Sequence, residues 1–191
     1  PELHHYAERF VHTTAHVIGI GLEGSLPDAL RDKHGFYIPG DDLPAHRISV
    51  FSNHAPLNVP DPEIHWSLMC EVSASSEQPL ETKHIAEILL KSLRRTGLIP
   101  TSSRVVSLWQ NQLEHGLPTP FYGRDDLLSA IQPRLKERGI FSRGRFGGWC
   151  FEVSDIESAV MQGKEAVDCI LYGDKEVRYP EPINSLDKTS G

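Results

Sequence analysis

The segment Ser142–Trp149 carries the densest set of residues that could do chemistry in this sequence. It holds Arg143, Arg145 and three glycines, and a helix is predicted to begin a few residues later, at Ser154. Guanidinium groups, a backbone that a ligand can approach closely and a helix N-terminus all favour an anion. The same residues also suit a basic turn packed under Trp149, and composition alone does not separate the two interpretations.

Three other patterns carry weaker signals. Gly19–Gly24 matches the three-glycine dinucleotide pattern, but no long helix follows it, so a glycine-containing strand end is the better interpretation. His12 and His16 are four residues apart, which on a strand is about 13 Å, so we predict no metal site there. Cys150 has no partner histidine nearby in the sequence, and we expect a free thiol there in place of a nucleophile.

The periodicity of apolar residues indicates which elements hold these groups. Alternating or β-branched runs predict strands near residues 11–20, 35–38, 47–51, 66–72 and 104–113, with a strand and loop across 141–151. Helical spacing predicts a short helix before residue 11 and helices over 81–96, 124–138 and from Ser154 onward. The apolar stripe of the last helix comprises Ile156, Val160, Gly163, Val167, Ile170 and Leu171. We expect an α+β fold with an antiparallel or mixed sheet of about five to six strands and about three to four helices.

Length and charge narrow the function classes. The 191 residues suit a single domain over 1–173, followed by a polar tail over 174–191 that is extended or disordered. A net charge of −7 argues against nucleic acid as a partner, because phosphates are bound by basic faces. Three widely spaced cysteines predict free thiols and a cytoplasmic location. No apolar run approaches the ~20 residues that span a bilayer.

Several motifs, in order along the chain, resemble the C-terminal part of the UDP-galactopyranose mutases, in particular the fungal type. The matching segments are Thr14–Gly19, Phe51–Asn53, Trp66–Met69, Glu71–Ser73, His115–Pro120, Ser142–Trp149, Met161–Gly163 and Glu165–Asp168. The resemblance runs from about Pro1 to Gly173. It implies part of a flavin-binding α/β domain together with part of an antiparallel substrate sheet.

The resemblance implies a flavoenzyme, but the residues depart from the family pattern. The family's flavin fingerprint lies N-terminal to the matching region and has no counterpart in this sequence, so we expect no cofactor. The family arginine that contacts the substrate diphosphate is retained as Arg47, and Tyr37 also remains as the family has it. Several other positions differ. Tyrosine is replaced at His54, Leu117 and Phe151, asparagine at Asp155, and tryptophan at Gly35.

These departures predict a pocket that has become less polar. We expect Arg47, Tyr37, His54 and Asp155 to be catalytic. We expect the substrate to contact Gly35, Leu117, Arg145, Trp149 and Phe151. The function predicted is a flavin-independent isomerase or cyclase of secondary metabolism, including pericyclic Diels–Alder-type cyclisation of a largely apolar small molecule.

Two alternatives remain open. The chain could be a fragment of, or a partner for, an FAD-dependent mutase, in which case Arg145 and Gln162-Gly163 would touch the flavin. It could instead be a non-catalytic binding or dimerising module, because an exposed apolar face tends to drive association into a homodimer.

Overall fold

The structure of the chain is a computed structural model that describes residues 3–75, 82–152 and 155–179. The chain divides into two compact units. One, the sheet unit, comprises Thr13–Gly116. The other, the helical unit, comprises Pro1–His12 together with Leu117–Gly191.

The sheet unit is built on one five-stranded antiparallel sheet, which confirms the predicted α+β class. The strands stand in the order β2-β3-β4-β1-β5. Their bounds are β1 His12–Glu23, β2 Gly35–Tyr37, β3 Arg47–Val50, β4 His65–Ala74 and β5 Arg104–Pro118. All ten residues of β4 pair with β1, in a register that joins Ile20 to Leu68 and Gly21 to Ser67.

One face of this sheet is buried under α2 (Ile85–Arg95). Every second residue of β1 and β4 is buried, as the two-residue period of a strand requires. Helix α2 contributes Ile85, Ala86, Leu89 and Leu93, which lie on one face of the helix and belong to the same apolar cluster as Ile18, Ile20 and Trp66. Gly97 has the positive φ expected of a residue that ends the helix.

The described part of the helical unit contains two long helices and two single turns. Their bounds are α1 His4–Ala7, α3 Arg124–Lys136, α4 Gly144–Gly147 and α5 Ile156–Tyr172. Pro133 lies in the last turn of α3, which stays one helix. None of the helices in the described ranges is both long enough and apolar enough to cross a membrane.

One prediction about this unit is wrong. The predicted strand over 141–151 is absent from these residues, which contain the turn α4, beginning at Gly144 with φ +75. The predicted apolar stripe of α5 is exposed, Ile156 by 86% and Val160 by 64%, whereas the buried residues among those described in the helix are Gln162 and Ala166. The periodicity of apolar residues identified the stripe correctly. The polar Gln162 side chain faces inward instead, because other groups of the chain form hydrogen bonds with it.

The beginning of α5 also differs from the sequence prediction. Ser154, predicted as the first residue of the helix, lies outside the described residues. Asp155 is the N-cap, and its carboxylate accepts a hydrogen bond from the Ser158 backbone N–H at 2.7 Å. This bond, followed by one from the Ser158 hydroxyl, lowers the pKa of Asp155.

Residues 174–179 pack against α5 without regular secondary structure. The Glu165 Oε2 atom accepts hydrogen bonds from the backbone N–H groups of Val177 and Arg178, each at 2.8 Å. Gln162, 2% exposed, donates to the Arg178 carbonyl at 3.0 Å. The remainder of the predicted tail, 180–191, lies outside the described residues.

The Glu165 contact predicts a pH-dependent docking of residues 174–179. The two backbone hydrogen bonds lower the pKa of Glu165, so its contribution is present above the ordinary value of 4.5 and is lost as the pH falls through the lowered value. The amide signals of Val177 and Arg178 should therefore shift together in an NMR titration below about pH 4.5. Glu165→Gln should remove this titration, and a wild-type midpoint above the ordinary carboxyl value would contradict the account.

The three thiols should differ in reactivity. Burial, together with the neighbouring Glu71 carboxylate, raises the pKa of Cys70 to about 12, whereas Cys150 and Cys169 are partly exposed. Because the thiolate is the reactive species, Ellman's reagent at pH 8 should titrate two thiols in the folded protein and the third only after denaturation. Three fast thiols in the native state, or loss of a fast thiol in Cys70→Ala, would contradict this.

Candidate functional site

The candidate site is the sheet face opposite the buried one, which we call the open face. Strand register places the residues of this face in rows, because directly paired residues project to the same side. The first row is Tyr37, Arg47, Glu71 and Val17; the second is Gly35, Ser49, Met69 and Gly19; the third begins with Ser67 and Gly21. Three predicted site residues, Gly35, Tyr37 and Arg47, therefore share one surface.

A groove of about 610 Å³ lies on the second and third rows. Its floor includes Gly19 and Gly21, and its lining includes Met69, Trp109 and Phe51. A Cβ atom at Gly19 would lie 3.7 Å from the Trp109 ring, so the indole packs directly against the glycine backbone. The Ser107 hydroxyl occupies the corresponding space at Gly21. The two glycines thus let Ser107 and Trp109 lie close to the floor, and both residues line the groove.

An ion pair stands at the end of the open face. The Arg47 guanidinium donates to the Glu71 carboxylate at 3.0 Å. The Tyr37 ring centre lies 5.9 Å from the Arg47 guanidinium carbon, which is within cation–π range. Because Glu71 is a fixed neighbouring carboxylate, the formal charges of the pair cancel and the attraction of Arg47 for a ligand anion is reduced.

His54 lies apart from this pair. Arg47 begins β3, which spans about 10 Å, whereas His54 follows both β3 and the turn Phe51–Asn53. The His54 Nε2 atom lies 3.2 Å from the His34 carbonyl oxygen, and the two imidazole rings are 5.2 Å apart. The structure brings Arg47 and Tyr37 together and places His54 against His34.

The turn that holds His54 depends on a residue that the sequence did not single out for this role. The Asn53 Nδ2 atom donates to the carbonyls of Leu30, Arg31 and Lys33 at 2.8 to 3.1 Å. These three bonds tie the segment that follows β3 to the loop that precedes β2. The short Phe51–Asn53 motif therefore has a local structural role.

The other five predicted site residues belong to the helical unit, so a joint pocket with Arg47 and His54 stays a prediction. Trp149 is held by its Nε1–H, which donates to the Val11 carbonyl at 2.9 Å, and by the Phe10 ring at 4.4 Å. Asp155 caps α5. Phe151 is exposed, and Leu117 and Arg145 are half-buried.

Two of the groups in Ser142–Trp149 that were predicted to bind an anion form hydrogen bonds within the protein instead. Arg143 is paired with both carboxylate oxygens of Glu176, at 2.5 and 2.6 Å, and stacks on the Tyr179 ring. The Gly144 N–H donates to Gln162 Oε1 at 2.8 Å. These bonds and the Asp155 cap make the segment a poor fit for a flavin diphosphate. They favour the basic-turn interpretation, with the ring of Tyr179 packed beneath Arg143.

Cys150 makes a local contact with a carboxylate. Its thiol donates to the Glu152 carboxylate at 3.1 Å. This bond is the largest cause of the lowered pKa of Glu152. Within the described ranges there is no group of three or more His, Cys, Asp or Glu residues placed to hold a metal ion.

Comparison with known proteins identifies the architecture. No family model matches the sequence. A crystal structure of reduced UDP-galactopyranose mutase matches 93% of the chain with a TM-score of 0.86 and 40% sequence identity. A putative protoporphyrinogen oxidase from Exiguobacterium sp. 255-15 matches 70% of the chain with a TM-score of 0.54 and 15% identity, which shows likeness of fold alone. The chain spans 37% and 30% of these two proteins, and it has a UDP-galactopyranose mutase-like fold.

Proposed function

We propose that this chain binds a small, largely apolar molecule on the open face and catalyses its isomerisation or cyclisation without a flavin. The observation that carries the proposal is the groove floored by glycine, which lies one row along the open face from the Arg47–Glu71 pair. A diphosphate needs uncompensated positive charge, whereas this face offers a neutralised pair and apolar walls.

The groove supports orientation as the source of rate enhancement. Its floor includes Gly19 and Gly21, and Trp109, Met69 and Phe51 add shape to its walls. Holding a flexible substrate in a reactive conformation can supply several kcal/mol of the barrier, about 7–11 in the best cases. Isomerisations and pericyclic cyclisations need little more than such orientation and one or two hydrogen bonds.

Tyr37 and Arg47 are the polar groups proposed to fix the substrate. The Tyr37 side chain belongs to a residue that is 73% exposed, and the Arg47 side chain is 44% exposed. Either can donate a hydrogen bond to a carbonyl oxygen and polarise it. His54 and Asp155 stay predictions as acid–base residues, and Leu117, Arg145, Trp149 and Phe151 stay predictions as substrate contacts.

The proposed origin is a fungal-type mutase-like ancestor, with a setting in secondary metabolism. The 40% identity over 93% of the chain supports the ancestry. The differences at Gly35 and His54 support a changed ligand, because the ancestral positions implied by the resemblance carry large aromatic residues.

Removal of the Glu71 carboxylate tests whether this residue weakens the binding of anionic ligands by Arg47. Wild-type protein should bind UDP weakly in isothermal titration calorimetry, since Arg47 is already paired. Glu71→Gln should release the guanidinium and strengthen UDP binding about tenfold, or about 1.4 kcal/mol. Glu71→Gln combined with Arg47→Met should lose that gain.

The matched control is Glu63→Gln, which makes the same charge change at an exposed position where the side chain makes no ion pair among those identified in the described ranges. That variant should leave UDP binding unchanged. Tight binding of UDP by the wild type, weakened by Glu71→Gln, would overturn the proposal.

Filling the groove tests the apolar site directly. Gly19→Val fits a β-strand and projects two methyl groups toward Trp109. Binding of the neutral probe 2-naphthol, followed by tryptophan fluorescence, should weaken at least tenfold in this variant. Gly163→Ala, on an exposed turn of α5 with nothing near the added Cβ, should bind as wild type. Equal affinity for 2-naphthol in all three proteins would show that the groove is not the binding site.

A second candidate is that the chain works as part of an FAD-dependent mutase-like assembly. The observation that favours it is the exposed apolar stripe of α5, a face that a further polypeptide could cover. Titration of the chain with FAD distinguishes the two. Saturable FAD binding that depends on Arg145 would support the second candidate. Titrations that show no binding of FAD would exclude it.

A further inference from the structure

Strand β5 is an unusual edge strand. It stands at the end of the sheet order, beside β1 alone among the described strands. Residues 106–115 are all exposed, although Ser107 and Trp109 lie against Gly21 and Gly19 of β1. The exposed side chains include Val106 (44%), Leu108 (46%), Trp109 (58%) and Leu113 (48%).

The edge lacks the devices that normally keep strands from pairing. Native proteins protect edges with charged residues, proline, bulges or short strands. The nine residues Val105–Leu113 contain no charged residue and no proline, and β5 as a whole is 15 residues long. A row of unpaired backbone groups on such a strand is a template for another strand.

The sequence of β5 is complementary to itself. In an antiparallel pairing of two copies centred on Trp109, Arg104 of one copy stands opposite Glu114 of the other. Arg104 also forms an ion pair with Glu23 of its own chain at 2.5 Å, so Glu114 of the second copy would join an existing pair. The remaining pairs are Val105–Leu113, Val106–Gln112, Ser107–Asn111, Leu108–Gln110 and Trp109–Trp109. Registers that centre on Arg104 or Glu114 place like charges opposite one another, which is destabilising. Only the Trp109-centred register brings the two opposite charges directly together.

We propose that two copies of this chain pair through β5 in the Trp109-centred register and form a continuous ten-stranded sheet. The two-fold axis then runs perpendicular to the sheet, so both open faces lie on the same side. The Trp109 of the second copy stands beside the Trp109 that lines the groove, which extends the apolar wall of each site. The pairing is independent of the proposed function, because it needs no ligand.

Mass measurement tests the association. Sedimentation velocity of the full chain should give about twice the monomer mass of 21.4 kDa at micromolar concentration. Glu114→Arg places an arginine opposite Arg104 and should weaken the dimer at least tenfold. The control Glu63→Arg makes the same charge change away from β5 and should remain dimeric. A wild-type monomer across the micromolar range overturns the proposal.

Cross-linking tests the register. Directly paired Cα atoms lie about 4.5–5.5 Å apart, a distance that a disulfide can bridge. In a background of Cys150→Ser and Cys169→Ser, Trp109→Cys should therefore form a disulfide dimer on oxidation. Asn111→Cys should not, because its copies would be offset by four residues, or about 13 Å. A dimer that resists Glu114→Arg and gives no cross-link at position 109 places the interface elsewhere and overturns the proposal.

Discussion

The register between β1 and β4 is the constraint on which the rest of the structure depends. It pairs Ile20 with Leu68 on the buried face and Gly21 with Ser67 on the open face. A slip of one residue would turn the buried side chains outward and the glycines inward. Burial of large residues such as Ile18, Leu22 and Trp66 therefore fixes which small residues face the groove. Packing on the buried side of the sheet therefore determines the residues of the site on the open side.

The open face also depends on one electrostatic interaction, the ion pair between Arg47 and Glu71. Glu71 follows the buried Cys70, so the strand period directs it to the same face as Arg47, its partner across β3 and β4. Both side chains are partly exposed, so the pair contributes little to folding free energy, about 0–1 kcal/mol. Its consequence is functional, because it sets how much positive charge the face presents to a ligand.

The sequence predicted the sheet better than the helical unit. Alternation of apolar residues located all five strands, although β5 is longer than the pattern suggested, because its exposed residues lack alternation of burial. The turn α4 was missed because glycine and arginine carry no helical periodicity, and its conformation depends on distant partners such as Gln132, Gln162 and Tyr179. The inward orientation of Gln162 could not be foreseen, because a buried amide is explained only by the groups that satisfy it.

For the site, the family resemblance predicted Tyr37 and Arg47 but not Glu71, whose role depends on strand register. The central claim is that the open face takes a neutral, apolar ligand, and NMR measures this most directly. Addition of 2-naphthol should shift the backbone amides of Gly19, Gly21 and Trp109, whereas UDP at equal concentration should leave them unchanged. Shifts at these amides with UDP and none with 2-naphthol would contradict the account.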